Sequence, residues 1–112
     1  MFAGLPVADY AAAYDWYVLL LGRPADMFPR DSEAVWQLAP GGSIYVVEDA
    51  ERAGSGLVTV ALDDLEAQEA RLRAVGVAAT KQSHGPAPGR LVVKDVDGNT
   101  LTFFQDPARS GA

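Results

Sequence analysis

Residues 2–22, FAGLPVADYAAAYDWYVLLLG, decide the fold. They open with a short apolar run that contains Pro6, and a proline inside such a run is typical of an edge strand. Asp9 follows as the N-cap of a helix that the 3.6-residue spacing of apolar side chains predicts over residues 10–21. Gly22 ends this helix, because glycine adopts the left-handed conformation of a helix C-terminus without strain. The segment therefore predicts a strand followed by a helix.

The same order returns in residues 57–76, LVTVALDDLEAQEARLRAVG. A strand with little polarity is followed by Asp63 or Asp64 as the cap of a second helix, predicted over residues 65–75 and ended by Gly76. In that helix Leu65, Leu72 and Val75 are predicted to face inward. An internal repeat explains the shared order, although strand, aspartate, helix and glycine is also a common sequence of elements.

Two further pairs of strand-like runs predict hairpins. They are residues 34–39 with 43–48, and residues 90–94 with 100–105. Pro40-Gly41-Gly42 joins the first pair, and this is the turn chemistry expected of a hairpin. Segments rich in proline, glycine or charge predict loops over residues 23–33, 49–56 and 81–89.

Composition restricts the class of protein. The 112 residues are 49% hydrophobic and 21% charged, which is ordinary for one globular domain. We expect a single domain over residues 1–112, with modules at about 1–52 and 55–107 and a frayed tail at 108–112. The formal charge of −6 argues against a nucleic-acid partner, and no apolar run is long enough for a membrane span. With no cysteine and no signal-peptide pattern, we expect a cytoplasmic protein.

Two motifs resemble one known family. Leu5-Pro6-Val7-Ala8-Asp9, followed by Trp16-Tyr17 and Leu20-Leu21-Gly22, resembles the opening of the vicinal oxygen chelate superfamily of glyoxalases, bleomycin resistance proteins and extradiol dioxygenases. Residues 95–103, DVDGNTLTF, resemble its closing hairpin. The resemblance covers nearly the whole chain. It implies an α+β fold of two βαβββ modules forming a cup-shaped mixed β-sheet, in a homodimer around a small-molecule pocket.

The family's metal site takes one side chain from each of four strands, typically His, Glu, His and Glu. The resemblance places these positions at Phe2, Gln37, Leu57 and Thr102. Two of these side chains have no donor atom, and two neutral oxygens cannot hold a transition metal against water. We therefore predict no metal and no cofactor.

The predicted ligand-binding residues lie on strands of the expected cup. They are Phe2, Gln37, Tyr45, Leu57, Thr102 and Phe104. Trp36 alternates with Gln37 and is predicted to face the core. Trp16 is placed at a dimer interface or a pocket rim, and Arg90 and Glu33 are either ligand-facing or surface charges.

Three functions stay open. The first is a metal-free binding protein that sequesters a small aromatic or hydrophobic ligand, with a net negative surface favouring cations. The second is a glyoxalase-like lyase or isomerase that uses His84, the only histidine, as its base. The third is a structural or regulatory dimer whose own side chains fill the cup. We favour binding over catalysis.

Overall fold

The computed structural model describes residues 2–39, 42–82 and 89–105. These residues form two helices and eight strands. In chain order the elements are β1 (Phe2–Val7), α1 (Tyr10–Leu21), β2 (Met27–Arg30), β3 (Glu33–Ala39), β4 (Gly42–Glu48), β5 (Leu57–Leu62), α2 (Leu65–Val75), β6 (Thr80–Gln82), β7 (Arg90–Lys94) and β8 (Thr100–Gln105). Neither helix is long and apolar enough to cross a membrane.

The two halves of the chain have the same topology. Strands β1 to β4 form one sheet in the order β1-β4-β3-β2, and β5 to β8 form another in the order β5-β8-β7-β6. Strand β1 runs parallel to β4, whereas β3 runs antiparallel to both β4 and β2. The α+β fold of two βαβββ modules and the internal repeat are thus confirmed.

Both helices begin and end at predicted residues. Asp9 caps α1 and Asp64 caps α2, each accepting a hydrogen bond from the backbone N–H three residues further on. Gly22 and Gly76 end the helices with φ angles of 80° and 81°, a region that favours glycine. Of the two candidate caps in the second module, Asp64 rather than Asp63 is the N-cap, so α2 has 11 residues where α1 has 12.

The chain divides into two compact units, and the boundary between them differs from the predicted boundary between the two modules. The first unit holds the described residues up to Val58 together with Asp95–Thr100. The second holds the other described residues. The turn between β7 and β8 therefore belongs to the unit that contains β1 and α1. A single domain over residues 1–112 remains a prediction.

The core of the first unit lies between α1 and one face of its sheet. Tyr17 and Leu20 of α1 are fully buried, as are alternate residues of the strands. The buried strand residues on this face are Leu5, Val7, Ala34, Trp36, Ile44 and Val46. The indole N–H of Trp36 donates to the carbonyl of Arg23 at 2.9 Å, which satisfies its polar group. The prediction that Trp36 belongs to the core is confirmed.

The second unit has its own core beneath α2. Leu65 and Leu72 are buried, together with Leu91, Val93, Leu101 and Phe103 of β7 and β8. Val75 was predicted to face inward, but it is 37% exposed. It follows Leu72 by three residues and so lies about 60° around the helix from it. This rotation takes it off the buried stripe.

Two strands lie where loops were predicted. Met27–Arg30 falls inside the predicted loop 23–33, and Thr80–Gln82 overlaps the predicted loop 81–89. Both are edge strands whose residues are all exposed. Their sequences therefore lack the alternating apolar pattern by which a strand is predicted. Pro29 is tolerated in β2 because an edge strand does not need every N–H for pairing.

Candidate functional site

The first sheet has a face turned away from the buried core, which we call the open face. Strand pairing defines it by the positions Gly4 and Pro6 of β1, Glu33, Val35 and Gln37 of β3, and Ser43, Tyr45 and Val47 of β4. Val35 is buried, whereas the other positions are half-buried or exposed. Burial alternates along β4, where Ile44 and Val46 are buried and the open-face residues are half-buried. On this face a bound molecule would contact a mixture of apolar and neutral polar groups.

Three of the six predicted ligand residues belong to strands of the first sheet. Phe2 and Gln37 occupy positions on either side of Ser43, because both pair with it across the sheet. Tyr45 lies two residues along β4, in the next row. Gln37 is exposed and Tyr45 is half-buried. The structure thus places these three positions as neighbours in one sheet.

Tyr45 makes a close contact with β1 that was not predicted from the sequence. Its ring lies against Gly4, where an added Cβ would stand 2.6 Å from both Cζ and Oη of the tyrosine. No real contact is that short, so the absence of a side chain at Gly4 allows the ring to lie across β1. A glycine within a strand is itself a signal of close approach and could have indicated this pair.

The other three predicted residues belong to the second sheet. Leu57 opens β5 and is 77% exposed. Thr102 and Phe104 lie on one face of β8, alternating with the buried Leu101 and Phe103. Phe104 is 36% exposed, which is high for a ring of that size. The role of all six residues in binding remains a prediction.

The donor atoms at the family's metal positions do not fit a divalent metal. Leu57 and Phe2 have hydrocarbon side chains, and Gln37 and Thr102 offer one neutral oxygen each. Glu33 is a carboxylate on the open face, but its Oε1 accepts a hydrogen bond from Arg30 Nε at 3.1 Å. Across residues 2–39, 42–82 and 89–105 no three metal-ligating side chains come together.

The remaining candidates are four residues with individual outcomes, Glu33, Arg90, Trp16 and His84. Glu33 is half-buried and pairs with Arg30, which accounts for its charge. Arg90 is exposed at the start of β7. Trp16 lines a pocket beside α1, in agreement with a rim position. His84, the predicted catalytic base, lies outside the described residues.

The closing motif forms a polar network inside the first unit. Asn99 is fully buried, and its Nδ2 donates to the carbonyl of Pro6 and to Asp95 Oδ2, both at 2.7 Å. Its Oδ1 accepts from the N–H of Gly56 at 2.7 Å. The side chain therefore joins the closing turn to β1 and to the residue before β5. In this chain the motif has a structural role.

Tyr17 connects the same network to α1. Its hydroxyl donates to Asp95 Oδ2 at 2.7 Å, and its side chain is completely buried. Burial, then the hydrogen bond to Asp95 and the charges of Asp95 and Asp97, raise the pKa of Tyr17 far above its ordinary value. The phenol is consequently neutral under all physiological conditions and serves as a donor.

Comparison with solved structures places this fold. A glyoxalase/bleomycin resistance protein from Catenulispora acidiphila DSM 44928 is 35% identical, with coverage of 96% of this chain and 97% of that one and a TM-score of 0.91. An antibiotic binding protein from Streptomyces sp. CB03234 is 25% identical over 93% of this chain and 92% of that one, with a TM-score of 0.72. Lactoylglutathione lyase from Agrobacterium tumefaciens shares the fold, with a TM-score of 0.78 at 13% identity over 96% and 93%.

No protein-family model matches the chain, and neither does any curated protein. The paired βαβββ modules nevertheless define a protein of the vicinal oxygen chelate class. At 35% identity over nearly its full length, the chain belongs to the glyoxalase/bleomycin resistance protein family.

Proposed function

We propose that this protein binds a small aromatic or hydrophobic molecule without the help of a metal, at the open face and at Leu57, Thr102 and Phe104. One observation carries the proposal. At the four positions that the resemblance assigns to the family's metal ligands, this chain has two hydrocarbon side chains and two neutral oxygens, a set that cannot hold a transition metal but can contact an organic ring. A binding role requires only that surface, whereas catalysis would also require a positioned base.

The chemistry of the proposed site is that of ordinary ligand pockets, which are largely apolar with a few orienting polar groups. Tyr45 and Phe104 supply exposed ring surface for stacking. Gln37 and Thr102 supply neutral hydrogen-bonding groups that can orient a ligand. The net charge of −6 adds a long-range preference for cationic ligands.

Two observations support an antibiotic-like ligand and a homodimeric assembly. The antibiotic binding protein from Streptomyces is similar over nearly the whole chain, which makes aromatic antibiotics the first compounds to test. Leu57 and Phe28 are 77% and 57% exposed, and large apolar side chains of this kind are often covered by a second subunit. We infer a homodimer.

The direct test is metal analysis of the purified protein, followed by a thermal-shift screen with aromatic and cationic antibiotics. We expect no stoichiometric metal, and a Tm rise of about 5 °C or more for a ligand at a hundred times its Kd. Light scattering on the same sample should give a dimer. Ligand binding that disappears on chelation of a stoichiometric metal would contradict the proposal, and a monomer would contradict the assembly.

A substitution at Gly4 tests whether Tyr45 contacts the ligand. In Gly4→Ala the new methyl group displaces the tyrosine ring, because the atoms that it would overlap are Cζ, Oη and Cε2 at the outer end of the side chain. We expect the Kd of the ligand found above to rise by about three- to tenfold, the worth of one aromatic contact, with little change in Tm. Isothermal titration calorimetry measures the Kd.

The matched control for this substitution is a double-mutant cycle. In a Tyr45→Ala background there is no ring to displace, so adding Gly4→Ala should leave the Kd unchanged. Equal affinity of wild type and Gly4→Ala would remove Tyr45 from the proposed site.

A further inference from the structure

A second pocket lies wholly within the first unit, apart from the open face. The first two turns of α1 and the turn after β7 form its walls, and its volume is about 210 Å³. The residues that matter for its chemistry are Asp9, Ala12, Ala13, Trp16, Val96 and Asp97. The cavity is large enough for a single substituted aromatic ring.

One wall of this pocket is positioned by the packing of two aromatic rings. The indole of Trp16 stands edge-on to Tyr17, with ring centroids 4.8 Å apart and planes at 82°. Tyr17 is itself buried and held by Asp95. Ala12 and Ala13 leave space next to the indole because their side chains are single methyl groups. An indole held in place beside small side chains is a surface for a flat apolar group.

The rim of the pocket carries several aspartates, and these differ in how many hydrogen bonds their carboxylates accept. Asp95 accepts four hydrogen bonds, two at each carboxylate oxygen, and is fully occupied. Asp9 Oδ1 accepts from the N–H of Ala12. Among the described residues no donor reaches the carboxylate of Asp97, and none of those that line the pocket is a lysine, arginine or histidine. An apolar wall beside the carboxylate of Asp97, which accepts no hydrogen bond from the described residues, is complementary to a ring that bears a positive charge.

We propose that this pocket binds small aromatic cations, with the ring on Trp16 and the ammonium group at Asp97. The indole of Trp16 offers a surface on which a flat ring stacks, and the carboxylate of Asp97 adds a charge-assisted hydrogen bond to the ammonium group. The site is separate from the open face and does not depend on the function proposed there.

The test uses three probes that differ only in the group attached to the ring: benzylamine, benzyl alcohol and benzoate. Each is titrated at pH 7 into ¹⁵N-labelled wild-type protein. The chain has two tryptophans, and Trp36 is buried with its N–H bonded to Arg23, so the Trp16 indole signal reports on the pocket. We expect saturable shifts there and at Ala13 and Asp97, with benzylamine binding about two- to fivefold more tightly than benzyl alcohol. Benzoate should bind most weakly.

Three variants separate the contribution of the Trp16 ring to binding from that of the Asp97 carboxylate. Trp16→Ala should abolish the saturable shifts for all three probes. Asp97→Asn should bring the Kd of benzylamine close to that of benzyl alcohol while leaving the alcohol unchanged. Asp15→Asn is the matched control, because Asp15 is exposed on the same helix but does not line the pocket. It removes the same charge and should retain the preference for the amine.

Several outcomes would overturn this proposal. They are the absence of saturable shifts in wild type, benzoate binding as tightly as benzylamine, or equal loss of preference in Asp15→Asn and Asp97→Asn. A Trp16→Ala protein that is monomeric where wild type is dimeric, with pocket signals that depend on protein concentration, would assign the pocket to a second copy of the chain. Gly4→Ala should not alter benzylamine binding, which separates this site from the open face.

Discussion

Replacing Asn99 by alanine should lower the free energy of unfolding by about 3–5 kcal/mol. The side chain is fully buried and holds three partners at 2.7 Å, the carbonyl of Pro6, the N–H of Gly56 and the carboxylate of Asp95. Alanine would leave the N–H of Gly56 without its acceptor and remove one of the donors to the Asp95 carboxylate, while the carbonyl of Pro6 would keep only the N–H of Gly54 at 3.3 Å. An unpaired N–H costs about 1–3 kcal/mol and a hydrogen bond to a charged group is worth about 1.5–3 kcal/mol, which together give the expected loss.

Urea unfolding followed by circular dichroism measures this effect. Asp97→Asn in the same turn is the matched control, because the carboxylate of Asp97 accepts no hydrogen bond from the described residues, and it should unfold within about 0.5 kcal/mol of wild type. A loss below 1 kcal/mol for Asn99→Ala would mean that water replaces the amide, and it would contradict the structural role assigned to the closing motif.

The helices were predictable because their signals are local. Asp9 and Gly22 lie directly at the ends of α1, and the apolar spacing between them has the helical period. The alternation that placed Trp36 in the core and Gln37 on the opposite face is equally local, since neighbouring strand residues point to opposite faces. The fold class and the opposite faces of Trp36 and Gln37 therefore followed from the sequence.

Long-range contacts were not predictable in this way. Asn99 bonds to the carbonyl of Pro6 across 93 positions, and the pattern around either residue does not indicate the other. The closing motif served only as a family resemblance, although its side chains organise the first unit. The contact between Gly4 and Tyr45 also depends on the parallel pairing of β1 with β4, which the repeat implies but does not align residue by residue.

Exposed edges set another limit on prediction. Strands β2 and β6 bury none of their residues, so hydrophobic periodicity cannot separate them from loops. The pocket at Trp16 likewise arises where a helix meets a turn distant in sequence, and only the rim position of the tryptophan could be anticipated.

Above pH 10, wild-type protein should lose stability that a Tyr17→Phe variant retains. Burial and the hydrogen bond to Asp95 raise the pKa of Tyr17 above its ordinary value of 10.0, so the folded state keeps a proton that the unfolded chain releases. The stabilisation by this group is complete below pH 10 and decreases as the pH rises further, by about 1.4 kcal/mol per pH unit. By pH 11.5 the loss from this group should reach about 2 kcal/mol.

At pH 7 the variant should be less stable than wild type by about 2 kcal/mol, because Asp95 loses a buried donor. The two stabilities should therefore converge as the pH approaches 11.5, which urea unfolding at pH 7, 9, 10.5 and 11.5 can follow. Tyr10 also has a raised pKa, from burial and from neighbouring Tyr14 and Glu33, but it is present in both proteins and cancels in the difference. A difference in unfolding free energy between the two proteins that stays constant from pH 7 to 11.5 would contradict this prediction. It would show that Tyr17 has the same pKa in the folded and unfolded chain, and that its hydroxyl is not held in a buried hydrogen bond to Asp95.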